Sequence, residues 1–490
     1  MKRYIGVPSL IFLLLLAGCA SFLAQRIPVT FERPAQCQQF FDDLNREVQE
    51  AGVRDASTFA VPGFPYLRTS RFVTALKERL KDEREREQWV RWMQKLDLEA
   101  RKKEIINLPD RAGLLLTRDQ KGLYPQVEAC SSELLNHDRT RSDFYSTLHP
   151  LVEVPTEYSF LMRTVGLYPL AALPVAVATE SSRQKTFAWF HLSLQDLPVE
   201  GGLKTFAPGE RTSLPEKEIK EMIRDSTRNP LGVPLPDEGR GRILVESFAP
   251  IFVQDIAGSY DWLGKIVWKG DGLGIDPEKP TVYYYISHAF LKGEPILQIN
   301  YVIWYSERAG KKSPSMERGL LDGLTVRVSL DSQGRPFMVD VVNDCGCYHF
   351  FAPEKARVDR VISKPFGFDP FIPQWLPSVS TGKRLGIRIN SGWHQVERLI
   401  AVGEPSDAIS YELLPYDVLE NLPHEDGRTE SIFDAKGIVK CTERVERFIL
   451  FSMGIPSVGS MRQRGHHALE LIGRSHFDDP DLFDRNFVFK

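Results

Sequence analysis

The 490-residue chain carries 62 Lys and Arg against 65 Asp and Glu, a formal net charge of −3, and 42% of its residues are hydrophobic. That balance excludes the broad basic surface of a nucleic-acid binder, and the apolar share excludes a disordered chain. At about 150 residues per domain the length predicts two or three units, each able to bury a core.

Lys2 and Arg3 open the chain, an apolar run follows through Leu10 to Leu16, and Ala17-Gly18 precede Cys19. A positive start, an apolar stretch and small residues at a cleavage point form a secretory leader. With a cysteine directly after the small residues, Leu16-Ala17-Gly18-Cys19 resembles a bacterial lipoprotein lipobox. The resemblance implies cleavage before Cys19, a diacylglyceryl group on its thiol and an acyl chain such as palmitate on the new amine. Several acyl chains together anchor a protein stably to a bilayer. The run is also uncharged from Tyr4 to Gln25, long enough to span a membrane uncleaved. In either case the positive residues before the run place the body outside the cytoplasm. Ala20 in place of Asp after the lipidated cysteine implies delivery to the outer membrane, facing the periplasm.

Removal of Lys2 and Arg3 takes the net charge from −3 to about −5. With Cys19 committed to lipid, Cys37, Cys130, Cys345, Cys347 and Cys441 remain, an odd set where disulfides persist. Cys37 and Cys130 each lie beside a helical pattern, so they are the expected structural pair. Both could instead be small buried hydrophobes.

Phe40, Phe41, Leu44 and Val48 recur at helical spacing, with Gly52 as a stop. Between Thr69 and Ile106, Phe72, Leu76 and Leu80 lead to Trp89, Trp92 and Leu96, and the lapse over Lys81 to Gln88 predicts a break or a helix pair. Further helices are expected over Pro125 to Leu135 and Tyr158 to Val177. From Leu197 to Arg242 the composition turns to Pro and Gly, as in a linker, with a short helix where Ser213 and Glu216 have capping-box spacing.

After Ile243 the period becomes two. Leu324, Val326, Val328 and Leu330 alternate with Thr325, Arg327 and Ser329, predicting a strand with one wet face. Asp331-Ser332-Gln333-Gly334 then turns the chain into Phe337 to Val342. Other strands are expected over Leu244–Val253, Thr281–Phe290, Ile296–Tyr305, Cys347–Phe351, Leu385–Ile389 and His394–Val402. The Phe- and Pro-rich stretch from Lys364 to Pro377, with Trp375, reads as a loop with its own small core, or else as an aromatic rim.

Three constellations carry chemical interest. In Asp344-Cys345-Gly346-Cys347-Tyr348-His349, alternate residues of an extended chain share a face, so two thiols and an imidazole would suit zinc or copper. One residue between the cysteines is too few for a structural zinc pair, and a disulfide to Cys441 or within the pair competes. His288, His349 and His394 each align with apolar neighbours on a strand and could converge as an open three-His metal site, with Gln298 opposite His288 and Asn300 next along. Each could equally be a satisfied core histidine. Finally, His466, His467, His476, Asp478, Asp479 and Asp481 contain hydrolytic ligand types, although Asp479-Pro480 reads as the start of a short helix. There is no G-x-S-x-G, no H-E-x-x-H and no P-loop.

The sequence therefore predicts an α+β protein in which a helical amino-terminal region precedes a larger, mainly antiparallel β-rich domain. The divisions are a leader at 1–18, a mainly helical region at 19–196, a linker at 197–242, the β-rich domain at 243–458 and a carboxy-terminal helix and tail at 459–490. The stretch around Asp344 to His349 resembles uncharacterised bacterial envelope lipoproteins, a resemblance that carries no activity. It implies a membrane-anchored binding or structural role, with an envelope protein as a possible partner. The alternative is a zinc-dependent hydrolase built on His288, His349 and His394, with Cys345 and Cys347 as further ligands. Redox work by the two thiols is a third reading, disfavoured by the strain of one-residue spacing.

Overall fold

The structure, a computed structural model, describes residues 32–109, 120–209, 214–364, 367–380 and 382–490. The expected leader, the stretch that resembles a lipobox and Cys19 lie outside the described residues, as does Ser213 of the expected capping box.

The amino-terminal region is built on α1 (Glu32–Ala51), whose Phe40, Phe41, Leu44 and Val48 are all buried. A hairpin of β1 (Phe59–Val61) and β2 (Phe64–Thr69) follows, turned at Gly63 with φ 80°. Then come α2 (Arg71–Leu76), α3 (Glu83–Asn107), α4 (Gln120–Arg139) and α5 (Phe144–Leu151). The lapse in the apolar stripe is a helix break, shorter than its sequence span. Asp82 accepts the Glu85 N–H at 2.9 Å and starts α3 there, so the charged residues after it lie on a helix surface. Cys37 and Cys130 form a disulfide between α1 and α4 with their Cα atoms 5.0 Å apart. Closing a loop of 93 residues contributes roughly 4–5 kcal/mol in the chain-entropy account.

The single helix expected over Tyr158 to Val177 is two. α6 (Phe160–Val165) ends at Gly166, Leu167 takes a left-handed φ of 50°, and α7 (Tyr168–His191) runs on well past the expected end. Among the described residues no helix is long and apolar enough to cross a membrane.

The Pro/Gly-rich stretch contains regular structure. β3 (Gly202–Pro208) enters the main sheet, and α8 (Glu216–Ser226) and α9 (Glu238–Phe248) follow. The expected strand over Leu244–Val253 is mostly the end of α9, because Asp237 accepts the Arg240 N–H at 2.9 Å and caps a helix whose Leu244 and Val245 reach the core. The strand β4 (Ile251–Ile256) begins only afterwards.

Next in order are β5 (Lys265–Lys269), β6 (Gly272–Asp276), β7 (Thr281–Leu291), β8 (Glu294–Arg308), β9 (Gly319–Leu330), β10 (Pro336–Asn343), β11 (Phe350–Pro353), β12 (Val358–Val361), β13 (Lys383–Ile389), β14 (Val396–Gly403) and β15 (Ile409–Pro415). Ten strands form one mixed sheet, ordered β11-β10-β9-β8-β7-β15-β3-β4-β13-β14. Most neighbours are antiparallel; β15 is parallel to β3 and β7, and β13 is parallel to β4. The fold is thus α+β, a helical amino-terminal region followed by a larger sheet domain. After the small pair β16 (Leu422–Pro423) and β17 (Thr429–Glu430), the chain ends in α10 (Glu446–Ile449), α11 (Leu482–Asn486) and β18 (Phe487–Phe489).

The β9–β10 hairpin turns where its sequence places it, with the Gly334 N–H on Asp331 O at 2.8 Å. Its expected wet face is dry. Thr325, Arg327 and Ser329 are buried, and Arg327 pairs with Asp340 at 2.6 Å and donates to the Phe477 carbonyl at 2.7 Å. Thr325 donates to Asp344 at 2.6 Å and Ser329 accepts from Gln298 at 3.0 Å, so the partners on this face come from other segments, the carboxy-terminal tail among them, and the strand's own period cannot reveal them.

Candidate functional site

Beyond β10 the chain turns through Cys345-Gly346-Cys347. The expected strand over Cys347–Phe351 begins only at Phe350, because the cysteines occupy this turn. Gly346 has φ 86°, and a Cβ there would strike the Ala468 carbonyl oxygen, so glycine is required both by conformation and by close approach. The Cys347 N–H points at Cys345 Sγ, 3.4 Å away. The Cys347 thiol also hydrogen-bonds that sulfur, which favours the Cys345 thiolate; burial works against it, and the nearby Arg308 guanidinium adds to it. The balance lowers Cys345 to about 7. As the donor of that bond, and buried, Cys347 is held well above the usual thiol range.

Both cysteines line a cavity of about 610 Å³. One wall is α7, through residues such as Val175, Thr179 and Ser182. Another is the chain from Glu446 to Val458, and a third is the loop carrying Phe368 and Phe371. The Phe- and Pro-rich loop therefore both packs and walls the cavity; Phe371 also rests on the main core. Burial and the Cys345 charge raise the Glu446 carboxyl to about 8. Gln395 and Asn486 also line the cavity, but Gln395 Nε2 and Asn486 Oδ1 are buried away from it, without a hydrogen-bond partner among the described residues.

Under the cavity floor lies a closed ionic network. Arg308 makes a two-pronged pair with Asp322 at 3.0 and 2.8 Å and reaches Glu317 at 2.9 Å. Glu317 also accepts Tyr348 Oη at 2.5 Å and Trp393 Nε1 at 2.9 Å. On the other side His394 sits 2.8 Å from Asp322 and 3.3 Å from Asp261, stacked on Tyr305 with ring centroids 3.8 Å apart. Burial opposes charge on His394, but hydrogen bonds to Asp261 and Asp322 outweigh it and raise the imidazole.

The three histidines expected to converge are not brought together. His288 hydrogen-bonds the Pro234 carbonyl at 2.8 Å beside Phe72 and Trp92, and burial lowers it to about 4. His349 lines the cavity but turns its Nε2 to Asp340 at 3.0 Å. His394 precedes β14 with φ 54° and belongs to the Asp322 network. The register of β7 and β8 opposes Leu297 to His288 and Gln298 to Ser287, one residue from the expected pairing, so Gln298 and Asn300 occupy the other face.

The carboxy-terminal cluster disperses as well. His466 spans Glu157 at 2.9 Å and the Ala56 carbonyl at 2.7 Å, while His476 faces Asp479 at 3.3 Å. Asp478 accepts the Gly465 N–H, Asp481 pairs with Arg485, and α11 starts two residues beyond Asp479-Pro480. His467 is buried without a hydrogen-bond partner among the described residues; burial, Arg462 and His466 push it down to about 3. Cys441 is exposed and free, so it forms no bond with Cys345 or Cys347. Among the described residues no group of three or more His, Cys, Asp or Glu side chains could hold a metal ion.

Sequence reasoning missed Arg308, Glu317, Gln395, Glu446 and Asn486. Scattered through the chain, they share no spacing that could signal a common site. Comparison with known proteins finds no matching family, no matching curated protein and no matching solved structure.

Proposed function

We propose that the protein is a lipid-anchored envelope protein that binds a chain-like apolar ligand in the cavity above Cys345. The observation that carries the binding reading is the cavity itself. At about 610 Å³ it falls in the range of small-molecule sites, and its walls are mainly apolar. An acyl chain suits this lining. Cys345, whose ionisation its surroundings favour, puts a nucleophilic sulfur on the cavity lining. The lipobox at Leu16 to Cys19 supports the anchor.

Titration of the full-length protein with a fluorescent polyene fatty acid tests the binding. Saturable binding is expected, and Ser182→Trp, which fills the cavity from a half-buried helix position, weakens it about tenfold, or 1.4 kcal/mol. Equal binding by both proteins rejects this cavity as the site. The anchor is tested separately by labelled-palmitate incorporation, which Cys19→Ser is expected to abolish.

A further inference from the structure

The outer face of α6 and α7 is apolar and uncovered. Phe160 is 76% exposed, Leu161 66%, Leu170 and Leu173 67% each and Val177 73%. From Leu167 to Thr179 no side chain carries a charge. A second segment, distant in sequence, extends this surface: Phe448 and Ile449 are 69% and 55% exposed, and the turn that follows them at Phe451–Met453 packs on α6 and α7. Isolated exposed apolar residues are ordinary, but a continuous patch from two segments marks an interaction site.

We infer that this surface, α6 and the start of α7 with residues 445–451, rests in the interfacial layer of a phospholipid bilayer. Three observations favour lipid over a protein partner. The uncharged part of α7 from Tyr168 to Ala178 is about 16 Å long, too short for a hydrocarbon core of roughly 30 Å but suited to lying along its surface. Arg163 on α6 and Arg447 directly before Phe448 flank the apolar residues, cations that complement lipid phosphates. Arg447 lies over the Phe448 ring at 4.7 Å and Arg163 over Tyr168 at 4.3 Å, placing cations and an aromatic ring where apolar surface gives way to polar, as at a membrane interface. The anchor proposed at Cys19 keeps the bilayer within reach, since Ala20 to Phe31 spans at most roughly 40 Å.

α7 has its other side on the cavity, so the surface brings the cavity wall to the lipid. The inference rests on exposure and charge and does not require the cavity to hold a ligand.

The test is photolabelling of the full chain, reconstituted in phosphatidylethanolamine and phosphatidylglycerol vesicles that contain a phospholipid with a photoreactive group in its acyl chain. Cross-links are expected on peptides covering 160–178 and 445–451. The combined substitutions Leu170→Glu, Leu173→Glu and Val177→Glu are expected to cut labelling of 160–178 about tenfold while the anchored protein still floats with the vesicles. All three positions are exposed, so thermal unfolding is expected to be unchanged. Floating protein without cross-links on either segment overturns the inference. So does protection of the same peptides by self-association in vesicle-free solution. Ser182→Trp should leave the labelling unchanged, which separates this result from failure of the cavity reading.

Discussion

Two clusters of polar groups lie within a few residues of each other in this fold, and they are finished to different degrees. In the layer of Arg308, Asp322, Glu317, His394 and Asp261, every side chain has an ionic or hydrogen-bonded partner close at hand. The cavity above it is lined by a thiol whose ionisation its surroundings favour and a carboxyl whose ionisation they oppose, among mainly apolar walls. Charge and histidine content alone would direct attention to the first cluster. A layer of mutually paired charges mainly holds strands in place, whereas titratable groups on a cavity wall are placed to meet a ligand.

The largest expected effect comes from opening the closed cluster. Asp322→Ala leaves Arg308 and His394 buried without their main counter-charge, and roughly 3–5 kcal/mol of stability is expected to be lost, measured by urea unfolding. Loss of less than about 1 kcal/mol would show that the layer is not the structural element described. Gly346→Ala forces a left-handed side chain against the Ala468 carbonyl, with an expected cost of about 1–3 kcal/mol and a lower melting temperature.

Next comes the thiol pair. Cys347→Ala removes the donor that favours the Cys345 thiolate, so the pH midpoint for iodoacetamide alkylation of Cys345, followed by peptide mass spectrometry, should rise from near 7 by about one unit. An unchanged midpoint would assign the lowering to Arg308 instead.

The smallest effect is the slope of stability with pH. His394 is raised in the folded state, so its contribution is complete below the ordinary imidazole value and is lost as pH rises through the raised one. Asp322 is lowered, burial being overcome by Arg308 and His394, so its contribution holds above the ordinary carboxylate value and falls away in acid. Melting temperature is therefore expected to decline from neutral into alkaline pH, and His394→Gln should flatten that decline. A steeper decline in the variant would contradict the sign.

How much could be read in advance depended on how far apart the cooperating residues lie. The Phe40, Phe41, Leu44, Val48 stripe and the Leu324 to Leu330 alternation were legible because each pattern is complete within one element. The Pro/Gly-rich stretch misled because β3 takes its stability from β4 and β15 on either side rather than from its own composition. Thr325, Arg327 and Ser329 looked solvent-facing for the same reason, since their partners Asp344, Phe477 and Gln298 lie outside the strand.

The sequence by itself determined the local periods, the hairpin at Asp331 to Gly334, and the thiol pair with glycine between, since backbone preference and side-chain spacing act over a few residues. Only the tertiary structure decided that the three histidines stay apart and that Cys345 faces a cavity walled by α7, the loop at Phe368 and the chain after Glu446. A cavity is the space left where distant segments fail to meet, and a lowered thiol reflects charges and donors brought in from elsewhere in the chain. Neither has a period that could appear along the sequence.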